Sequence, residues 1–338
     1  MSSGALTEDS ATWYGTWLAN RYKDKPNIVW LNGGDSKAHQ RLSIWTALGE
    51  SLRQSDPDHL MTYHPFGRYS SSTWFHDASW LDFNMFQSGH HTYAQSFAAV
   101  ATNVDSIDLP TLWKGEDNWK HVIEDHKLHP PKPTLDGEPS YEGIPQGLHD
   151  PSEPFWNDND VRRYAYWAVF AGACGHTYGN GSVMQMHRPS DGPVGGYGVT
   201  KYWTEAIDDP GAGQLQNLKR LMLSRPYFDR IYDPTVVHGD PGHRYDRVLA
   251  TRGKDYLFAY VYTGRTFSLE LGHISGSQVD AWWYHPKDGR SEQVGRLPNE
   301  GVQAFDPPGT PEEGNDWVLV LDDVSKQFPK PGDVTWTA

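Results

Sequence analysis

Cysteine is almost missing from this chain: Cys174 is the only one in 338 residues. An intrachain disulfide and a cysteine-built zinc site are therefore both excluded. No run of about 18 apolar residues occurs, so no stretch is long enough to cross a bilayer as a helix. Positive charge is in the minority, with 29 basic against 43 acidic side chains and a formal net charge of −14. Phosphate backbones and anionic lipid surfaces need a basic face, so neither nucleic acid nor membrane is expected as a partner. Three motifs are also absent: Gly-x-Gly-x-x-Gly opening a helix after a strand, the Gly-x-Ser-x-Gly elbow, and His-Glu-x-x-His. Their absence removes a dinucleotide site, a serine-elbow esterase and a zinc-protease helix. No cofactor and no metal site are expected. Met1 to Asp9 holds neither a positive stretch nor an apolar run, so no signal peptide is read there.

Aromatic residues, by contrast, are abundant. Fifteen Trp, eighteen Tyr and twelve Phe make 13% of the chain. Such a content suits a cleft that grips the apolar faces of sugars, drugs or peptides, and it suits an aromatic-rich core equally well. The length accommodates one large and one small domain at roughly 100–200 residues each.

The first two thirds alternate helical and strand patterns. Thr7 can cap a helix whose first turn holds Glu8 and Asp9 and whose aromatic side carries Trp13 and Trp17, with Pro26 as a stop. Asn27 to Asp35 then reads as a buried strand ending in a glycine pair. Further helices are expected over 44–52, 161–174 and 215–223, and further strands over 59–66, 81–86, around 133–138, and leading into 175–180. Strands alternating with helices predict βα units around a parallel sheet. After Thr235 the texture changes to short β-branched and aromatic runs at 247–251, 256–262, 267–271, 279–284 and 317–321. That spacing predicts an antiparallel sandwich. The expected division is 1–234 for the βα domain, 235–326 for the sandwich, and 327–338 for a tail.

Polar residues gather just after the strands: Asp35, His64, Gln87, His90, Glu138 and Asn180. In a (β/α) barrel such positions meet at one rim, and in an open sheet they meet in the crevice outside the strand ends. Asp35 reads either as a rim acid or as a helix cap. Glu138, stiffened by Pro139, reads as a second carboxylate or as a salt-bridge partner of Arg68 or Arg162. Two carboxylates facing across a sugar are what glycoside hydrolysis requires, at about 5–5.5 Å for retention and 6.5–9.5 Å for inversion. Trp156 and Tyr178 are candidates for a sugar floor. Ser70 to Ser72 reads as polar lining, and metal-dependent hydrolysis would need His64 and His90 to converge on Asp35.

Four segments in order carry a specific likeness: Arg21 to Asp35, His64-Pro with Ser70-Ser-Ser72, Trp80 to His90, and Lys132 to Glu142. Together they resemble the DUF4038 family, which includes the apiosidase-like glycoside hydrolases of family 140. The region after Val236 resembles the collagen-binding-type sandwich that follows that barrel, although no residue in it specifies a triple-helix groove. The resemblance implies a (β/α)8 TIM-type barrel with Asp35 as acid/base after strand four and Glu138 as nucleophile after strand seven. From their places at strand ends and beside the same pocket, His64, Gln87, His90, Tyr141, Glu142, Tyr178 and Asn180 are read as substrate-binding residues, with Glu142 as the fallback nucleophile. The implied activity is exo-acting, retaining hydrolysis of a polysaccharide side chain, and the implied relatives are secreted or periplasmic. The alternative is a non-catalytic carbohydrate- or protein-binding module. Only five strand patterns precede the sandwich. The first three βα units of the barrel thus have no counterpart, so the expectation is either a truncated product or a homo-oligomer in which a second copy covers the open edges.

Overall fold

A computed structural model describes residues 6–95 and 116–334. Residues 1–5 and the last four of the expected tail lie outside the described residues.

Helix α1 (Glu8–Tyr22) starts where the sequence indicates, with Thr7 and Ser10 exchanging backbone and side-chain hydrogen bonds in a capping box. Its buried face is not the aromatic one. Ala11, Gly15 and Ala19, spaced four apart, pack on α2 (Leu42–Ser55), while Trp13 is 67% exposed. Small residues win that contact because a Cβ on Gly15 would lie 2.1 Å from the Ser51 hydroxyl.

Five parallel strands follow in chain order. β1 (Trp30–Ser36) pairs with β2 (Met61–Pro65), and β4 (Thr134–Asp136) lies between β3 (Asn84–Phe86) and β5 (Gly175–His176). The two groups are tied by side chains at one end, where Thr62 donates to the Phe83 carbonyl at 2.7 Å and Asp82 accepts the Met61 N–H at 2.7 Å. Helix α3 (Asn118–His126) links β3 to β4, α4 (Asp158–Phe170) links β4 to β5, and α5 (Pro210–Leu223) follows β5. The helix expected to reach residue 174 ends at Phe170, because Gly172 adopts φ +114° just past the cap. Cys174 is exposed. β1 is not the buried strand its composition suggests. Among the described residues it pairs on one side only, and Leu31 is 53% exposed.

The last third holds two antiparallel sheets. One runs in the order β12 (Ser291–Pro298), β11 (Gln278–Tyr284), β14 (Trp317–Asp323), β9 (Tyr256–Val261), β8 (Val248–Arg252), β6 (Ile231–Tyr232). The other runs β13 (Gly301–Phe305), β10 (Phe267–Leu271), β7 (Val237–His238). Their facing sides enclose one core around Phe267, Trp283, Phe305 and Trp317. The sequence patterns miss β12 and β13, whose residues are mostly exposed and offer no apolar alternation.

The outer side of the larger sheet is covered too. Tyr256, Phe258, Tyr260 and Val320 pack on Tyr166, Trp167 and Phe170 of α4 and Leu221 of α5. Much of the aromatic excess therefore serves as core between the two halves. Charges buried in this seam are paired, as burial demands. Arg162 makes a two-pronged contact with Asp316 at 2.6 and 2.8 Å, and Glu116 joins Arg163 to the Tyr245 hydroxyl, both at 2.6 Å. Arg162 is thus committed to the sandwich and is not a partner of Glu138.

Candidate active site

The β1 rim is built on a backbone irregularity. Pairing with β2 runs from Trp30 opposite Met61 to Gly33 opposite His64, then resumes at Ser36 opposite Pro65. Gly34 and Asp35 are left over as a bulge, which turns the strand end outward and presents Asp35 at the rim. Gly33 has φ +92°, and a Cβ there would sit 2.6 Å from both the His64 carbonyl oxygen and the Tyr63 ring. Glycine is required at that point. Asp35 itself takes φ +42°, a left-handed conformation that short polar side chains tolerate.

Glu138 arrives differently. Beyond β4, the Gly137 N–H continues the ladder to the Phe86 carbonyl at 2.9 Å, and the Glu138 carbonyl accepts from Gly89 at 3.2 Å. The side chain is then held by two imidazoles. His64 Nε2 lies 2.8 Å from one carboxylate oxygen and His90 Nε2 lies 3.1 Å from the other. The Tyr141 hydroxyl bonds Glu138 as well, and the Tyr141 ring meets His90 edge-on at 4.8 Å. His90 is anchored through its carbonyl, which accepts the Gly147 N–H at 2.8 Å and the Trp156 indole N–H at 3.3 Å.

Proton positions follow from these contacts. His64 Nδ1 faces the Pro65 carbonyl at 3.0 Å while Nε2 faces Glu138, so both ring nitrogens meet acceptors, which favours the cationic form of the ring. Burial opposes that charge, but the Glu138 hydrogen bond, with the charges of Glu138 and Asp35, outweighs it and raises the His64 pKa. For Glu138 burial alone would raise the pKa. The bonds from His64 and His90 overcome it and hold the carboxyl well below the ordinary range. Glu138 is therefore a fixed anion.

Asp35 and Glu138 line one open cavity of about 440 Å3, a size suited to a small ligand. One carboxylate oxygen from each, together with a His64 nitrogen, lie within 4.8 Å of one another. Among the described residues this trio is also the grouping whose spacing suits a cation. The Nδ1 contact of His64 to a carbonyl is of the kind that orients metal-binding imidazoles. Its Nε2, however, points straight at Glu138.

A family model described as "Apiosidase-like, catalytic domain" matches residues 1–229. The chain belongs to the apiosidase-like family. A second model, described as "Putative collagen-binding domain of a collagenase", matches residues 231–322. Among solved structures, a chain titled glycoside hydrolase is 48% identical with a TM-score of 0.91, the match covering 97% of this chain and 72% of that one. A glycoside hydrolase family 5 protein from Bacteroides vulgatus ATCC 8482 is 45% identical with a TM-score of 0.90, covering 98% of this chain and 70% of that one. No curated protein matches the sequence.

In this apiosidase-like chain, Gln87, His90 and Tyr141 line the cavity with Asp35 and Glu138, and His64 stands behind Glu138. Tyr178 and Asn180 face a neighbouring cavity. Glu142 is not available as expected: it accepts the Tyr178 hydroxyl at 2.6 Å and the Gly211 N–H at 3.0 Å, satisfying the first turn of α5. Burial raises its pKa, with the Tyr178 and Gly211 bonds pulling the other way. Trp156 is buried, so it supports His90 from below and floors no subsite. Ser70 and Ser72 donate to Asp125. The sequence reading does not single out Arg68, His91 and Tyr197 as cavity lining. Arg68 lies in the loop directly after β2, which was the available signal. His91 is pushed down to about 4 by burial and by the charges of Arg68 and His90, so it is neutral near pH 7.

Proposed function

We propose that this chain is a retaining glycoside hydrolase, exo-acting on a side chain of a plant or microbial polysaccharide. The observation that carries the reading is the meeting of Asp35 and Glu138 over one cavity, with oxygens within 4.8 Å. That separation fits the retaining arrangement, in which no water has to stand between carboxylate and sugar. Glu138 attacks the anomeric carbon while Asp35 gives its proton to the departing glycosidic oxygen, and the C–O bond breaks. Asp35 then takes a proton from water, whose oxygen attacks the same carbon and releases Glu138. As Glu138 becomes an ester its charge disappears, and the hydrogen bonds from His64 and His90 weaken in step. Gln87, His90 and Tyr141 supply polar contacts to sugar hydroxyls.

The five parallel strands are read as strands four to eight of a (β/α)8 barrel, followed by the sandwich over 235–326 and a tail over 327–338. Val29 and Leu31 are exposed at β1, and a second copy of the chain covering them is the proposed homo-oligomer. The competing reading is a non-catalytic carbohydrate- or protein-binding module. Both are tested by a screen of aryl glycosides and pectic oligosaccharides against the parent, Glu138→Gln and Asp35→Asn, with light scattering on the same samples. Turnover that survives both substitutions removes the two-carboxylate mechanism. Binding of an oligosaccharide without turnover by the parent selects the binding module. A stable monomer removes the covering copy.

A further inference from the structure

One acid beneath the site takes no part in the chemistry above. Asp136, the last residue of β4, is completely buried two positions before Glu138. Its Oδ2 accepts the Ser88 hydroxyl at 2.9 Å and the Asn118 amide at 3.0 Å. Its Oδ1 closes no hydrogen bond, although the backbone N–H groups of Ser88 and Glu138 help to favour the charged form. No cation pairs with it among the described residues. His176, opposite it on β5, and His121 of α3 are each pushed down to about 3 by burial, so they bring no charge. Tyr164 of α4 is held neutral as well, because burial raises its pKa. Burial pushes Asp136 itself up to about 7 in spite of its donors. An asparagine would fill the same space without that desolvation. An acid kept at such a disadvantage beside a reactive group points to function.

Its contacts join the two loops that make the site. Ser88 stands two residues before His90, and Asp136 two before Glu138, so the buried Ser88–Asp136 bond precedes the His90–Glu138 contact by the same step on both loops. Between these two ties the Gly89 N–H donates to the Glu138 carbonyl at 3.2 Å, and the Ser140 hydroxyl donates back to the Gly89 carbonyl at 2.9 Å. Asn118 completes the junction by donating to the Tyr164 carbonyl at 2.8 Å. We infer that Asp136 is a positioning residue, which ties the Ser88 loop to the end of β4 and thereby aims the Glu138 carboxylate at its contacts with His90 and His64. It touches no substrate. Its effect on turnover rests on the glycosidase reading, and its effect on the placement of Glu138 does not. In Asp136→Asn one side of the group turns from acceptor to donor, so it cannot accept from Ser88 and Asn118 while also facing the two backbone N–H groups.

The test follows the His64 imidazole by NMR in the full chain labelled with 15N-histidine, its signal assigned with His64→Gln. In the parent its pKa stands above the ordinary 6.5, chiefly through the Glu138 hydrogen bond. Asp136→Asn and Ser88→Ala should each bring it down towards that value, with the larger fall in Asp136→Asn. Ser88→Ala keeps the Asp136 charge, so a fall there reports a displaced Glu138 and not a lost charge. On any 4-nitrophenyl glycoside cleaved in the screen, Asp136→Asn should lower kcat about 10- to 100-fold with KM within about twofold, as a misplaced reacting group does. A His64 titration unchanged in Ser88→Ala overturns the proposal, also where Asp136→Asn does not fold. So does a folded Asp136→Asn with a lowered Tm but the parent's kcat and His64 titration, which marks a purely structural role. Turnover by the parent with an unmoved His64 in both variants removes the positioning role and leaves the hydrolase. A fall of the His64 pKa in both variants of a protein that cleaves no glycoside supports the positioning role and removes the hydrolase.

Discussion

The two carboxylates of the site reach the same cavity by opposite means. Asp35 closes a run of three successive positive φ values on a strand that pairs on one side only among the described residues, and it is exposed to solvent. Glu138 follows a strand paired on both sides and is gripped by two imidazoles and a tyrosine. A group that must carry a proton to a leaving oxygen and later collect one from water profits from a rim position with room to adjust. A nucleophile must point at one carbon and remain ionised, which packing and hydrogen bonds enforce. The contrast supports the proposed division of roles, with Asp35 as acid/base and Glu138 as nucleophile.

The largest expected effect comes from breaking the rigid partner. Glu138→Gln should lower kcat by about 10^4-fold or more on every substrate, since no ester can form. Asp35→Asn should cost about 10^2- to 10^4-fold on substrates with poor leaving groups. With 4-nitrophenyl glycosides it should instead give a burst followed by slow turnover, because only the second step still needs the base. Equal losses with both leaving-group types would erase the distinction.

Stability should separate the two glycines that shape the Asp35 bulge. Gly33→Ala meets the His64 carbonyl and the Tyr63 ring at 2.6 Å, and should lower unfolding free energy by about 2–3 kcal/mol in urea titrations. Gly34→Ala has nothing within 4 Å, and should cost only about 1 kcal/mol from its left-handed backbone.

A smaller effect concerns pH. Glu138 is held below the ordinary carboxylate value, so its contribution is in place above about 4.3 and is lost as pH falls through its folded-state pKa. His64 is held above the ordinary imidazole value, so its contribution is complete below about 6.5 and is lost as pH rises through its folded-state pKa. The pair therefore stabilises most between those two limits. Comparing Tm across pH for the parent and His64→Gln should show the alkaline decline reduced in the variant. The smallest expected effect is that of EDTA: with His64 bonded directly to Glu138, turnover and Tm should not change on chelation.

Local signals in the sequence went far. The Thr7 cap, the Gly33-Gly34-Asp35 turn and the Gly137-Glu138-Pro139 rim all announce themselves in short stretches, because caps and left-handed glycines are decided by neighbours. The strand Phe267–Leu271 was legible to the residue from its alternation. What failed depended on distant partners. Trp13 and Trp17 look like a packing face until Gly15 finds Ser51 across α2. Glu142 looks like a rim acid until the first turn of α5 claims it from sixty-nine positions away. Arg68, His91 and Tyr197 sit on loops that carry no periodicity, so nothing local marks them as cavity wall.

The seam along α4 has a mechanical consequence. That helix carries the chain from β4 to β5, and its far side is glued to the sandwich by Arg162, Arg163 and a stack of tyrosine rings. The C-terminal sheets therefore act as a splint on the very connection that carries Glu138, with no freedom to swing on a tether. Severing them would expose Tyr166, Trp167 and Phe170 of α4 to water and part Arg162 from Asp316, so the two halves should melt together.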